Sequence, residues 1–107
     1  MTANLVIWKW SDGYATPNAR RKHKLKMSDV ALTLINEENH FAVSEFDQQE
    51  LIRQIEILFP QNPEDRPFVI ERYKHHVVVN ISLQSRFDVV PKIGGLAMSL
   101  GLNGAEA

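Results

Sequence analysis

The segment Asn4–Trp10 (NLVIWKW) is apolar on both sides of an extended chain, and no other stretch limits the fold as much. Its β-branched and aromatic residues favour a strand. Alternation places Leu5, Ile7 and Lys9 on one face and Val6, Trp8 and Trp10 on the other. Ser11-Asp12-Gly13 then supplies turn chemistry. Two tryptophans, each able to bury ~200 Å², do not face bare water without a reason. Either the segment 11–43 folds across them or a partner does, and that segment brings Val30, Leu34 and Ile35 for the purpose.

The rest of the chain divides into elements that can close around this strand. Asn18 to Lys26 has no apolar period and reads as a solvated loop or an irregular helix start. Ser28 can cap a short helix through about Asn39. Asp47 is a good N-cap, and Glu50 three residues on completes a capping-box pattern, with Phe46 and Leu51 at staple spacing. Leu51, Ile52, Ile55, Leu58 and Phe59 follow as one apolar stripe, which Pro60 stops. Beyond a polar loop, Phe68–Tyr73 and His76–Leu83 read as a hairpin turning at Lys74-His75. Val77, Val79, Ile81 and Leu83 share one side of its second strand, opposite His76, Val78, Asn80 and Ser82.

Asp88 is expected to cap the last helix, with Pro91 in its first turn, where a missing N–H breaks no bond. Ile93, Leu96, Ala97 and Leu100 form its stripe, and Gly101 stands at the C′ position before Leu102. A short edge strand can follow from Leu102-Asn103. Gly94 and Gly95 lie inside the helical stripe, match no phosphate-binding fingerprint, and are explained by close packing of this helix on the sheet.

The order is strand, insertion with a helix, helix, strand, strand, helix, short strand. Without the insertion this is the βαββαβ ferredoxin-like pattern. The expected fold is therefore α+β: a two-layer sandwich with an antiparallel sheet and two helices on one face, plus an insertion containing a short helix. At 107 residues it is one domain.

The chain contains no cysteine, which removes disulfides, thiolate metal sites and cysteine nucleophiles. No basic stretch and long apolar run follow Met1, and Ile93–Leu102 is too short and too interrupted to span a bilayer, so a cytoplasmic location is expected. His75 and His76 are adjacent and would point to opposite faces of a strand, while His23 and His40 sit in unrelated segments; neither a metal nor another cofactor is expected. No G-x-S-x-G elbow occurs and no catalytic residues are assigned.

Charge is unevenly distributed. Residues 9–26 carry six basic side chains (Lys9, Arg20, Arg21, Lys22, Lys24 and Lys26) against Asp12. Residues 27–65 carry nine acidic side chains against Arg53, a balance of −8, within a chain of net charge −1. Such polarity governs partners and encounter rates. Glu37, Glu38, Glu45, Glu50 and Glu56 are the candidate contacts for a cationic protein partner, with Trp10 and Tyr14 as aromatic anchors. The basic cluster, with Lys9, is the alternative site, for nucleic acid. The hairpin's second strand lacks the aromatics that an RNA-recognition sheet needs.

From the second helix onward, the chain resembles a group of small bacterial proteins of poorly defined function. In these a helix ending in F/W-P precedes a polar loop, two strands and a last helix of the form A-x-x-x-G-L. The matching residues are Leu58-Phe59-Pro60, Val77 to Ile81, and Leu96-Ala97 to Gly101-Leu102. The group commonly continues into a strand ending in Asp-Pro, where this chain has Asn103-Gly104-Ala105. Some of its members are proposed immunity proteins, which neutralise toxins delivered between bacteria, and the resemblance implies that role here. It supplies no catalytic residues. A non-enzymatic protein-binding module is therefore the leading expectation, with a nucleic-acid-binding module and a small enzyme of unrecognised site as the alternatives.

Overall fold

In the computed structural model, which describes residues 2–37 and 39–107, strand β1 (Thr2–Trp10) is the axis of the molecule. One edge of β1 pairs antiparallel with β4 (His76–Ser82), in a register that sets Val6 against Val78 and Ile7 against Val77. The other edge is shared end to end by β5 (Asn103–Glu106), which pairs with Leu5 to Trp8, and β2 (Val43–Ser44), which pairs with Lys9 and Trp10. Strand β3 (Phe68–Arg72) pairs with the outer edge of β4. The result is a five-stranded, open, wholly antiparallel sheet. The chain reverses between β3 and β4 through Lys74-His75, where Tyr73 donates its N–H to the His76 carbonyl at 3.0 Å.

Four helices accompany the sheet among the described residues: α1 (Pro17–Lys22), α2 (Met27–Glu37), α3 (Gln48–Leu58) and α4 (Arg86–Ser99). The alternation of β1 divides the core in two. On one side Leu5 and Ile7 pack with Val77, Val79 and Ile81 of β4, Leu51 and Ile55 of α3, and Val89, Ile93 and Ala97 of α4. On the other, Val6, Trp8, Trp10 and Val78 pack with Val30, Ala31 and Leu34 of α2 and with Ala42 and Val43. Burying a leucine- or valine-sized side chain contributes roughly 1.5–3 kcal/mol, so both layers are substantial. Among the described residues no helix is long and apolar enough to cross a membrane.

The expected two-layer sandwich thus gains a partial third layer. The insertion itself is the cover: α2 lies over the tryptophan face, and Thr16 caps a further short helix, α1, by accepting from the Ala19 N–H at 3.2 Å. The insertion also contributes an edge strand, β2.

Helix α4 departs from expectation at its start. It begins at Arg86, so Asp88 lies within its first turn instead of capping it, and Pro91 lies inside the helix. A 3₁₀ turn over Leu83–Ser85 leads straight into the helix, and Ser85 makes no side-chain capping bond. Pro91 withholds a donor from the Phe87 carbonyl; both residues are exposed, so that carbonyl lies on the solvent side. The other end is as expected. Gly101, at φ 76°, takes the left-handed C′ position, with its N–H donating to the Met98 carbonyl and the Leu102 N–H donating to Ala97. These two bonds close a Schellman motif and turn the chain into β5.

The two helical glycines overturn an expectation. A Cβ on Gly94 or Gly95 would meet nothing within 4 Å, so neither is required by close packing of α4 on the sheet.

Candidate functional site

Helix α3 forms because Asp47 caps it: the carboxylate accepts from the Glu50 N–H at 3.1 Å. Phe46 packs against the core beside Leu51, and Leu51, Ile55 and Phe59 pin one side of the helix down. Leu58, expected in that stripe, is 43% exposed, because the helix ends there and Phe59 takes the inward position as C-cap. Gln49, Arg53 and Glu56 consequently face solvent, with Glu50 half-buried beside them.

The reciprocal half of the capping box is replaced by a stronger contact. Glu50 does not turn back to the cap; it accepts from Arg53 Nε at 3.0 Å, from Arg53 Nη2 at 2.8 Å and from Gln54 at 3.0 Å. A bidentate guanidinium outcompetes a single backbone donor. These bonds, Arg53's first and Gln54's second, draw the Glu50 carboxyl from its ordinary 4.5 down to about 2. At neutral pH Glu50 is therefore ionised, its charge met by the Arg53 guanidinium, and has no proton to give.

Asp47, Gln49, Glu50, Ile52, Arg53, Glu56 and Arg72 line one open cleft. Arg72 is set on its rim by Gln48, whose side-chain oxygen accepts from the guanidinium Nε at 3.1 Å while its amide donates to the Tyr73 carbonyl at 2.6 Å. Glu45, just before the helix, approaches His75 of the hairpin turn at 3.7 Å. Glu56 has no ion-pair partner among the described residues.

Of the acidic residues singled out from sequence, Glu50 and Glu56 share this cleft, whereas Glu45 does not line it and lies beside His75. Glu37 ends α2 and Glu38 lies outside the described residues. Asp47, Arg53 and Arg72 were not singled out. The capping role of Asp47 was legible, but only the hairpin geometry brings Arg72 alongside.

The aromatic anchors need correction. Trp10 is only 6% exposed and meets Trp8 edge-on at 5.3 Å, so it has no face to offer a partner. Among the described residues neither buried indole N–H has an acceptor. Tyr14 is half-buried against Phe41 and His23. Phe41, 68% exposed, is the aromatic ring this corner presents to solvent.

The basic cluster is split by the same packing. Arg20 donates to the Tyr14 carbonyl at 2.9 Å, and its guanidinium lies 4.9 Å from the Trp10 ring centre. Arg21 donates to Asn18, while Lys22, Lys24 and Lys26 are exposed. Lys9 is exposed on the helix side of β1 and shares a cleft with Arg20. Trp10 is the indole that borders these cations, but it is buried and Arg20 lies over its ring, which leaves no open face on which a base could stack.

No family model, no curated protein and no solved structure matches this chain.

Proposed function

We propose that this chain is a non-enzymatic protein-binding module that captures a cationic protein partner through the acidic side of α3, acting in the cytoplasm as the immunity protein of a bacterial toxin. The observation that supports this is the cleft in which Asp47, Glu50 and Glu56 converge, with Glu50 held as an anion well below neutral pH. Carboxylates fixed on a capped helix that is pinned to a sheet lose little freedom when a lysine- or arginine-rich surface arrives. They also steer that surface in and repel acidic competitors. Arg53 and Arg72 on the same rim give the site a pattern of both signs, which selects a matching partner and not any basic protein.

The frame that carries the site reads as ferredoxin-like. The strand order β3-β4-β1-β5 with α3 and α4 on one face supports this reading, residues 11–43 being the insertion.

Affinity capture from the native cell, with this chain as bait, tests the function. The expected product is a basic protein whose retention falls as salt rises and whose harmful activity the chain suppresses. Recovery of nucleic acid alone, or of no protein, overturns the proposal.

A further inference from the structure

Helix α4 has a second face that its own fold does not use. Val89, Ile93 and Ala97 face the core, and on the opposite side Phe87 is 84% exposed and Met98 73% exposed, with Pro91 also exposed between them. At 100° per residue, Phe87, Pro91, Gly94, Gly95 and Met98 fall on one arc, which carries no charge. The outward side of α3, by contrast, carries Glu50, Arg53 and Glu56. The glycines on this arc weaken the helix, and a Cβ on either would meet nothing within 4 Å. Their own chain therefore supplies no reason for them.

We propose that two copies of this chain associate through this face, their α4 helices antiparallel, with the Phe87 ring of each seated on the Gly94-Gly95 gap of the other. Knob and gap lie two helical turns apart on the same side, about 11 Å along the axis. That is the arrangement a two-fold interface requires, because each surface must match itself when reversed. Pro91 stands midway, so it meets its own copy at the symmetry axis.

The charges beside the arc name the occupant. Asp88 and Lys92 lie along one flank, bonded to each other at 3.1 Å, one on either side of that midpoint. Antiparallel pairing sets Asp88 of one copy opposite Lys92 of the second, twice, so the four charges alternate in sign. Glu50 and Glu56, on α3, are not among the residues of this arc. This inference therefore does not depend on the proposed function, and it can fail while that proposal stands.

Sedimentation equilibrium of the full chain between about 1 and 500 µM tests it. A reversible monomer–dimer equilibrium is expected. Phe87→Asp should raise the dimer dissociation constant at least about tenfold, as loss of a central aromatic does. Its circular dichroism should be unchanged, since the ring is 84% exposed and its one ring contact among the described residues is with the neighbouring Arg86 guanidinium, 5.5 Å from its centre and also held by Glu106. Gly95→Lys should weaken the dimer without lowering the melting temperature. Because the chain has no cysteine, Pro91→Cys should yield a disulfide-linked dimer on mild oxidation, whereas Asp29→Cys, exposed on α2, should not. A chain that stays monomeric throughout this range overturns the proposal. So does a dimer that Phe87→Asp leaves intact.

Discussion

Gln48 holds Tyr73 from across the molecule: its side-chain amide donates to the Tyr73 carbonyl at 2.6 Å, although twenty-five residues separate them. The same amide lies 3.5 Å from the His76 carbonyl, and its oxygen accepts from Arg72. One side chain in the first turn of α3 thus ties the helix to the hairpin and fixes one rim of the acidic cleft. Gln48→Ala should cost about 1–3 kcal/mol, because a part-buried carbonyl loses its donor. It should also speed amide exchange at Tyr73, and urea denaturation followed by hydrogen exchange measures both effects. Unchanged exchange at Tyr73 would show that the turn does not need this tie.

Tryptophan emission reports directly on the cover formed by α2, because both tryptophans of the chain are buried beneath it. The wild-type spectrum should be blue-shifted. Leu34, fully buried against the indoles, should cost about 2–5 kcal/mol on truncation to alanine. Leu34→Asp should move the emission to the red while strand content persists.

Glycines at two places in and beyond α4 should respond with opposite signs. Gly101 holds φ 76°, which an L side chain adopts at a cost of about 1–2 kcal/mol, so Gly101→Ala should destabilise by that amount. Gly94→Ala and Gly95→Ala should each stabilise the dilute monomer by about 0.5–1 kcal/mol, since helix propensity improves and nothing is crowded. Thermal melts of the three single variants make the comparison.

Acid should weaken the fold in part through Glu50 and Glu106. Arg53 and Gln54 hold the Glu50 carboxyl down to about 2, and Arg86, bonded to both Glu106 oxygens, lowers that carboxyl also. A depressed carboxyl pKa means that the unfolded chain binds the proton more readily. The contribution is therefore complete above 4.5 and is lost as pH falls through the folded value, near 2 for Glu50. Glu50→Gln should flatten the stability-against-pH curve between those limits. Because both pairs are solvent-accessible, added salt should flatten it as well.

Where side chains obey a simple period, the sequence reads through to the structure. The alternation of β1 sorted Leu5 and Ile7 from Val6, Trp8 and Trp10 correctly, and Asp47 and Gly101 cap their helices as their positions require. It misleads where tertiary partners decide. Val30 and Leu34 marked the insertion as one of two possible covers for the tryptophans, a partner being the other; the fold shows that α2 takes that place, which removes Trp10 from the list of exposed anchors. Asp88 looked like a cap because the apolar stripe begins after it, yet the 3₁₀ turn before Arg86 starts α4 earlier. The cleft was half legible: Glu50 and Glu56 share a helix, while Arg72 arrives through a hairpin contact with Gln48 that no local pattern encodes.

Side-by-side capture with a charge-altered chain tests the account most directly. Glu45→Lys and Glu56→Lys, combined with Glu50→Gln, remove three negative charges and leave Asp47 to cap α3, without touching the buried side of the helix. Wild type and variant are used as baits at equal concentration and low salt, after circular dichroism has shown both to be folded. The wild type should retain a basic protein and the variant should lose at least about nine-tenths of it, the effect of removing steering and several ion pairs together. Equal retention of the same protein by both chains would contradict it.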